Sequence, residues 1–200
     1  MGCWGITAFE SDAGLDAVEF IRRNLPKDGK LELRKLIEEL QKDSWNTPPD
    51  VSDAESHTSP MALAELMVKF LDGETESLDY DEEWAADNKF RSITSFTASK
   101  ESISWLRSYL SDTLHHAKEN EASETEHGRK WGGWFKEENW IGWQEHMTAL
   151  VSRLDEILAL PEGSMELISE QTQDNNPITG QKKTEEDEVE ACLTVGRITI

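Results

Sequence analysis

Residues 139–159, with the sequence NWIGWQEHMTALVSRLDEILA, carry the clearest structural signal in the chain. Apolar side chains recur in them at intervals of three and four positions, which places these side chains on one face of an α-helix. Pro161 and Gly163 follow the segment and end the helix. The members of the apolar face are Trp140, Trp143, Met147, Leu150, Val151, Leu154, Ile157 and Leu158. A helix with so long an apolar face requires other elements to bury it.

The same periodicity predicts four more helices earlier in the chain. They are expected over residues 11–25, over about 31–43, from Ser59 onward and from Ser99 onward, and a sixth short helix is expected ahead of Phe90. Helices that each carry one apolar face bury these faces by packing together. We therefore expect a mainly α fold, an irregular bundle of five to six helices with the start of the chain packed on it as an arm.

The end of the chain has a different composition. Residues 165–168 and 189–200 have the composition of short strands, whereas residues 172–188 are polar and contain turn signals. We expect a helical domain over residues 1–160. The C-terminal extension, residues 161–200, is expected to be partly disordered or to form a β-hairpin.

The chain is strongly acidic. It contains 41 acidic and 20 basic residues, which gives a formal net charge of −21 and a pI near 4.5. Nucleic acids and anionic membranes bind basic surfaces, so neither is expected as a partner. The largest share of the negative charge lies in residues 51–127. This charge is typical of a solvated acidic surface, and it also favours a cation or a basic protein as a ligand.

Cysteine usage and hydropathy exclude some classes of protein. Cys3 and Cys192 are far apart in the sequence and form no Cys-x-x-Cys motif, so a cysteine-based zinc site is not expected. Residues 1–25 lack the pattern of a secretion signal, and no window approaches 18 consecutive apolar residues. We expect a cytoplasmic protein.

The first residues of the chain combine glycines with large aromatic side chains. Gly2 and Gly5 allow a close approach of the backbone that a side chain would block, and Trp4 and Phe9 then have room to be buried as anchors. This opening, Met-Gly-x-Trp-Gly-x-x-x-Phe-x-x-Asp-x-x-x-Asp, resembles a family of uncharacterised, mostly bacterial proteins, domain of unknown function 4259. The resemblance covers about residues 1–25. It implies a helical body after the motif and implies no particular activity.

Three acidic residues follow the aromatic pair. Glu10, Asp12 and Asp16 lie close together in the sequence, and the last two are four positions apart on the first predicted helix. Functionally, these carboxylates are candidates for binding a divalent cation or a basic side chain of a partner. Structurally, Asp12 or Ser11 caps the helix and Asp16 complements its dipole.

A second group of polar residues lies on the fourth predicted helix. Asp112 is four positions from His116, and His115 is four positions from Glu119, so two carboxylate–imidazole pairs are expected. His146 or Glu145 on the fifth helix would supply a further metal ligand if these faces converge. The alternative is a solvated helix end with ordinary histidines. No other cofactor is expected.

Tryptophan is concentrated before and within the fifth predicted helix. Trp140 and Trp143 lie on its apolar face and are expected in the core. Trp131 and Trp134 flank two glycines in a loop, where packing is the first expectation. The alternative is that they are exposed, and an exposed tryptophan is a favoured anchor of protein interfaces.

No motif of a known catalytic class is present in the sequence. There is no Gly-x-Ser-x-Gly nucleophile elbow, no phosphate-binding loop and no dinucleotide fingerprint. The sequence therefore favours a protein-interaction module over an enzyme. We expect it to bind and neutralise a basic partner such as a toxin, as immunity proteins do, with the acids of residues 72–87 and 119–126 attracting the partner. The alternatives are a metal-binding helical bundle, a metal-dependent hydrolase, or a structural protein.

Overall fold

The computed structural model describes residues 2–52, 58–79, 89–122, 134–161 and 165–168. Within these ranges the protein is mainly α, as the periodicity predicts. The five α-helices of the described residues are α1 (Asp12–Arg23), α2 (Leu33–Lys42), α3 (Thr58–Leu71), α4 (Lys100–Ala122) and α5 (Trp140–Leu158). No helix of the described residues is long and apolar enough to cross a membrane.

Helix α3 lies at the centre of the bundle. It packs along α1 and also contacts α4 and α5, while α4 and α5 pack along each other. Almost every side chain of α3 is buried because the helix has neighbours on several sides. The apolar face predicted for α5 is also buried, and Trp143, Met147 and Leu154 are inaccessible to solvent. Arg107 of α4 binds both carboxylate oxygens of Asp155 of α5, at 2.8 and 3.1 Å.

A small three-stranded sheet contacts α2, and the sequence predicts only one of its strands. The strands are β1 (Lys30–Glu32), β2 (Ser95–Ala98) and β3 (Met165–Glu166). Strand β2 is central, parallel to β1 and antiparallel to β3. The second predicted helix, 31–43, therefore starts two residues too early, because Leu31 and Glu32 pair with β2 before the chain turns into α2.

The strand predicted at 165–168 is present as β3, but its partner is β2. Leu167 donates its backbone N–H to the carbonyl of Phe96 at 2.6 Å, and Leu167 and Ile168 are buried in the core. Residues 165–168 thus pack against the rest of the described chain, and the division into a domain over 1–160 and an extension over 161–200 stays a prediction. The predicted partner strand, 189–200, and the polar segment 172–188 lie outside the described residues.

Candidate functional site

Residues 2–11, here called the arm, fold back on the start of α1. The backbone N–H of Trp4 donates to the carbonyl of Glu10 at 2.9 Å, and the N–H of Asp12 donates to the carbonyl of Gly2 at 3.0 Å. Cys3 and Ser11 form an antiparallel bridge between these two hydrogen bonds. The arm is therefore a closed loop held by its own main chain.

The beginning of α1 requires the small residues around it. Ser11 is the N-cap, since its hydroxyl accepts the N–H of Gly14 at 3.1 Å and donates to the carbonyl of Ala8 at 2.9 Å. Asp12, the other capping candidate, instead accepts the backbone N–H of Gly2. A β-carbon at Gly14 would lie 1.8 Å from the Ala8 carbonyl oxygen, so only glycine fits where the arm crosses α1.

The carboxylate of Glu10 closes the arm from within. One of its oxygens accepts the backbone N–H groups of Ile6 and Thr7, at 2.9 and 3.0 Å, and the Thr7 hydroxyl at 3.1 Å. These bonds, that of the Thr7 backbone first, hold the pKa of Glu10 below its ordinary value of 4.5, with a smaller contribution from His146. A β-carbon at Gly5 would lie 2.1 Å from this carboxylate, which explains the second glycine of the motif.

Replacing Glu10 with glutamine is expected to lower the stability of the protein near neutral pH by about 1 kcal/mol, because the amide is a weaker acceptor than the carboxylate. A carboxyl whose pKa is lowered on folding stabilises the fold above its unfolded pKa and loses this contribution as the pH falls through the folded pKa. The difference between wild type and Glu10→Gln should therefore be complete above about pH 5 and shrink toward pH 3. Urea unfolding at several pH values measures it, and a difference independent of pH would contradict this role of Glu10.

A buried carboxylate of α3 holds the other side of the arm. Glu65, with a side chain 6% exposed, accepts the backbone N–H of Ala8 at 2.8 Å and that of Phe9 at 3.4 Å. The Nε2 atom of His146 lies 2.7 Å from the same carboxylate. Glu65 thus connects the arm, α3 and α5 through one side chain, and removing it would leave several polar groups without a partner.

The carbonyl oxygen of Gly5 joins the arm to the segment before α5. It accepts the indole N–H of Trp134 at 2.8 Å and the side-chain N–H of Asn139 at 2.9 Å. Trp134 is buried, and its ring stacks on that of Trp143 with centroids 6.1 Å apart. Trp134 is therefore packed, as the first expectation has it, and the alternative of an exposed interface anchor is wrong for this residue, because its indole N–H binds the arm. Trp131 lies outside the described residues.

Trp4 itself is not buried, contrary to the sequence-based expectation. Its side chain is 55% exposed, although its backbone is fixed. The N–H of Trp4 donates to the carbonyl of Glu10, and the carbonyl of the next residue, Gly5, accepts the indole N–H of Trp134. Phe9, the second expected anchor, is partly buried and packs on the core, with the ammonium of Lys69 5.5 Å from its ring centroid. Of the two aromatic residues of the motif, one anchors the arm and the other is presented to solvent.

Two further exposed apolar side chains lie on the segments that meet the arm at Gly5. Phe135 directly follows Trp134 in the sequence and is 36% exposed. Ile141 is 63% exposed, and the next residue, Gly142, lies against Ile6 of the arm. We call Trp4, Phe135 and Ile141 the arm surface.

The charged residues beside the arm surface are mainly acidic. Glu137 and Glu138 are exposed between Phe135 and Ile141, and with Lys136 they line a surface cavity of about 610 Å³. Asp16, the third acid of the sequence motif, is exposed on α1. The carboxylates of Glu10 and Asp12 are engaged by backbone N–H groups, so these two candidates for partner binding have structural roles.

The predicted metal ligands are only partly brought together. His115 and His116 both lie near the carboxylate of Glu119, at 3.3 and 3.6 Å, and all three are at the exposed side of α4. His146 binds Glu65 instead of joining them. In the part of the chain that the structure describes, no three His, Cys, Asp or Glu side chains, including Asp112, are arranged to hold a metal ion.

Two residues that hold the arm, Glu65 and Asn139, are not among the residues predicted from the sequence. Glu65 could have been found, because it is the one acid in the apolar run from Met61 to Val68, and a lone carboxylate in such a run indicates a buried, paired group. Asn139 carries no comparable signal, since asparagine is frequent ahead of any helix.

Comparisons of the chain with protein-family models, with curated proteins and with solved structures find no match. The resemblance of residues 1–25 to the family of unknown function therefore stays a prediction.

Proposed function

We propose that the protein is an acidic interaction module that binds a basic protein through the arm surface, and that it neutralises this partner, for example a toxin, as immunity proteins do. The observation that carries the proposal is the exposure of Trp4. The Gly5 carbonyl and the Glu10 carboxylate beside it are used to hold the loop in place, whereas the Trp4 indole is 55% exposed to solvent.

Exposed tryptophans on a fixed backbone are well suited to binding. A tryptophan buries a large area on association, and it loses little entropy when its backbone is already held. Interface anchors are enriched in tryptophan for this reason, and they cluster with other apolar side chains inside a polar rim. Phe135 and Ile141 are exposed apolar side chains on the segments that bind the arm through Trp134 and Asn139, and Glu137 and Glu138 are exposed acids between them in the sequence.

The charge of the protein favours a basic partner. A net charge of −21 repels acidic macromolecules and accelerates the encounter with cationic ones, and the effect is screened by salt. The acidic rim beside Trp4 would then orient the partner during the encounter, while the apolar side chains would slow its dissociation.

Capture of binding proteins from a lysate of the cells that make this protein tests the proposal. The immobilised full chain is washed in steps of increasing salt, and the released proteins are identified by mass spectrometry. We expect one basic protein, retained at a constant stoichiometry and released over moderate salt. Retention that is equal at low and high ionic strength would contradict attraction by charge.

A further inference from the structure

One face of α4 forms a groove on the surface, away from the arm. It has a volume of about 480 Å³ and is lined by α4 residues that are three or four positions apart and by Val51. The α4 residues are Glu101, Ser104, Trp105, Ser108, Tyr109 and Asp112. The hydroxyl of Tyr109 donates to the carbonyl of Pro49 at 2.6 Å, which fixes the chain leading to Val51 against the helix.

The chemistry of this α4 groove is uneven along its length. Glu101 and Asp112 are exposed and lie at its two ends, separated by eleven residues, or about 16 Å along a helix. Between them, the rings of Trp105 and Tyr109 are 5.5 Å apart and tilted by 32° to each other, and both side chains are half-buried. The α4 groove therefore has an aromatic wall in its middle and a carboxylate at each end.

No lysine or arginine lines the groove among the described residues. Arg107, on the same helix, binds Asp155 of α5 through two hydrogen bonds and also attracts Asp112 electrostatically, but it does not line the groove. Glu101 and Asp112 are both exposed, so a ligand can reach the two carboxylates.

We propose that the α4 groove binds a linear aliphatic polyamine. The two terminal ammonium groups of the ligand would each form a charge-assisted hydrogen bond, one with Glu101 and one with Asp112. The chain between them would lie on the indole and phenol rings, whose faces attract cations and cover methylene groups. An extended tetraamine such as spermine is comparable in length to the separation of the two carboxylates, whereas a diamine such as putrescine spans less than half of it. This inference is independent of the arm surface.

Titration calorimetry of the full chain with spermine, at about 150 mM salt to suppress unspecific attraction, tests the proposal. We expect one spermine per chain and an affinity for putrescine lower by at least about tenfold, because the diamine reaches only one carboxylate. Tetralysine carries a similar charge on a bulkier chain and is expected to bind more weakly than spermine. If tetralysine binds more tightly, or if several spermine molecules bind with equal affinity, the groove is not a polyamine site.

Variants separate the groove from the acidic surface as a whole. Glu101→Gln/Asp112→Asn is expected to weaken spermine binding by at least about tenfold, and both side chains are exposed, so folding is retained. The matched control Glu38→Gln/Glu39→Gln removes the same charge from the exposed face of α2 and is expected to change the affinity by less than about twofold. Equal effects of the two double variants would overturn the proposal.

A third variant tests the middle of the groove without removing an acid. Ser108 is exposed between the aromatic rings and Asp112, and Ser108→Arg places a fixed cation where the ligand chain would lie. Spermine binding is expected to be lost, since like charges repel at this distance. Unchanged binding in Ser108→Arg would contradict the proposed position of the ligand.

Discussion

Replacing Glu65 with alanine is expected to lower the free energy of unfolding by about 3 kcal/mol. The carboxylate is buried, and it accepts two backbone N–H groups of the arm and lies 2.7 Å from Nε2 of His146. Alanine leaves these groups without their acceptor and opens a void between α3 and the arm. Urea unfolding monitored by circular dichroism measures the loss.

Two controls show whether the loss comes from these hydrogen bonds. Glu38→Ala removes an exposed glutamate that pairs with Arg34, and it is expected to cost less than about 0.5 kcal/mol. A double-mutant cycle of Glu65→Ala with His146→Ala is expected to give a coupling energy of about 1 to 3 kcal/mol, because the two side chains are in contact. A loss below about 1 kcal/mol for Glu65→Ala would show that the arm is held by other means.

Replacing Gly14 with alanine is expected to destabilise the protein by about 3 kcal/mol, in spite of the higher helix propensity of alanine. The new β-carbon would lie 1.8 Å from the Ala8 carbonyl oxygen, and a backbone atom cannot rotate away as a side chain does. The arm and the first turn of α1 would have to separate. Thermal and urea unfolding of the variant measure this effect.

Gly142→Ala is the matched control for Gly14→Ala. It is the same substitution inside a helix, but the added β-carbon would meet the Cγ2 methyl of Ile6 at 3.0 Å. A side chain at this distance can move by a few tenths of an ångström, so the change in stability is expected to stay within about 1 kcal/mol. Equal losses in the two variants would show that the arm does not cross α1 as closely as described.

The helices could be predicted from the sequence because each carries its own signal. The apolar positions of residues 139–159 define α5, and the observed helix differs from the prediction by one residue at each end. Strands β1 and β2 have no such local signal, since they are three and four residues long. They become strands by pairing with each other across 65 residues, as Lys30 does with Ser95.

The candidate site was predictable only in part, because some of its features depend on contacts between residues that are far apart in the sequence. The glycines and aromatic residues of the first ten positions indicate a packed arm, which the structure contains. Whether Trp4 or Trp134 is the exposed tryptophan depends on which one reaches the Gly5 carbonyl, and this depends on a contact across 129 residues. Tertiary contacts of this kind decide which large side chain is available to a partner.

The binding of a partner by wild type, Trp4→Ala and Trp45→Ala, compared in the same capture experiment, tests the central claim most directly. Trp45 is 71% exposed after the end of α2, outside the arm surface, so its variant removes an even more exposed indole than Trp4 from another place. We predict that Trp4→Ala lowers the amount of retained basic protein by at least about tenfold, as the loss of an interface anchor does, and that Trp45→Ala retains as much as wild type. Equal retention by all three proteins would contradict the assignment of the arm surface as the binding site.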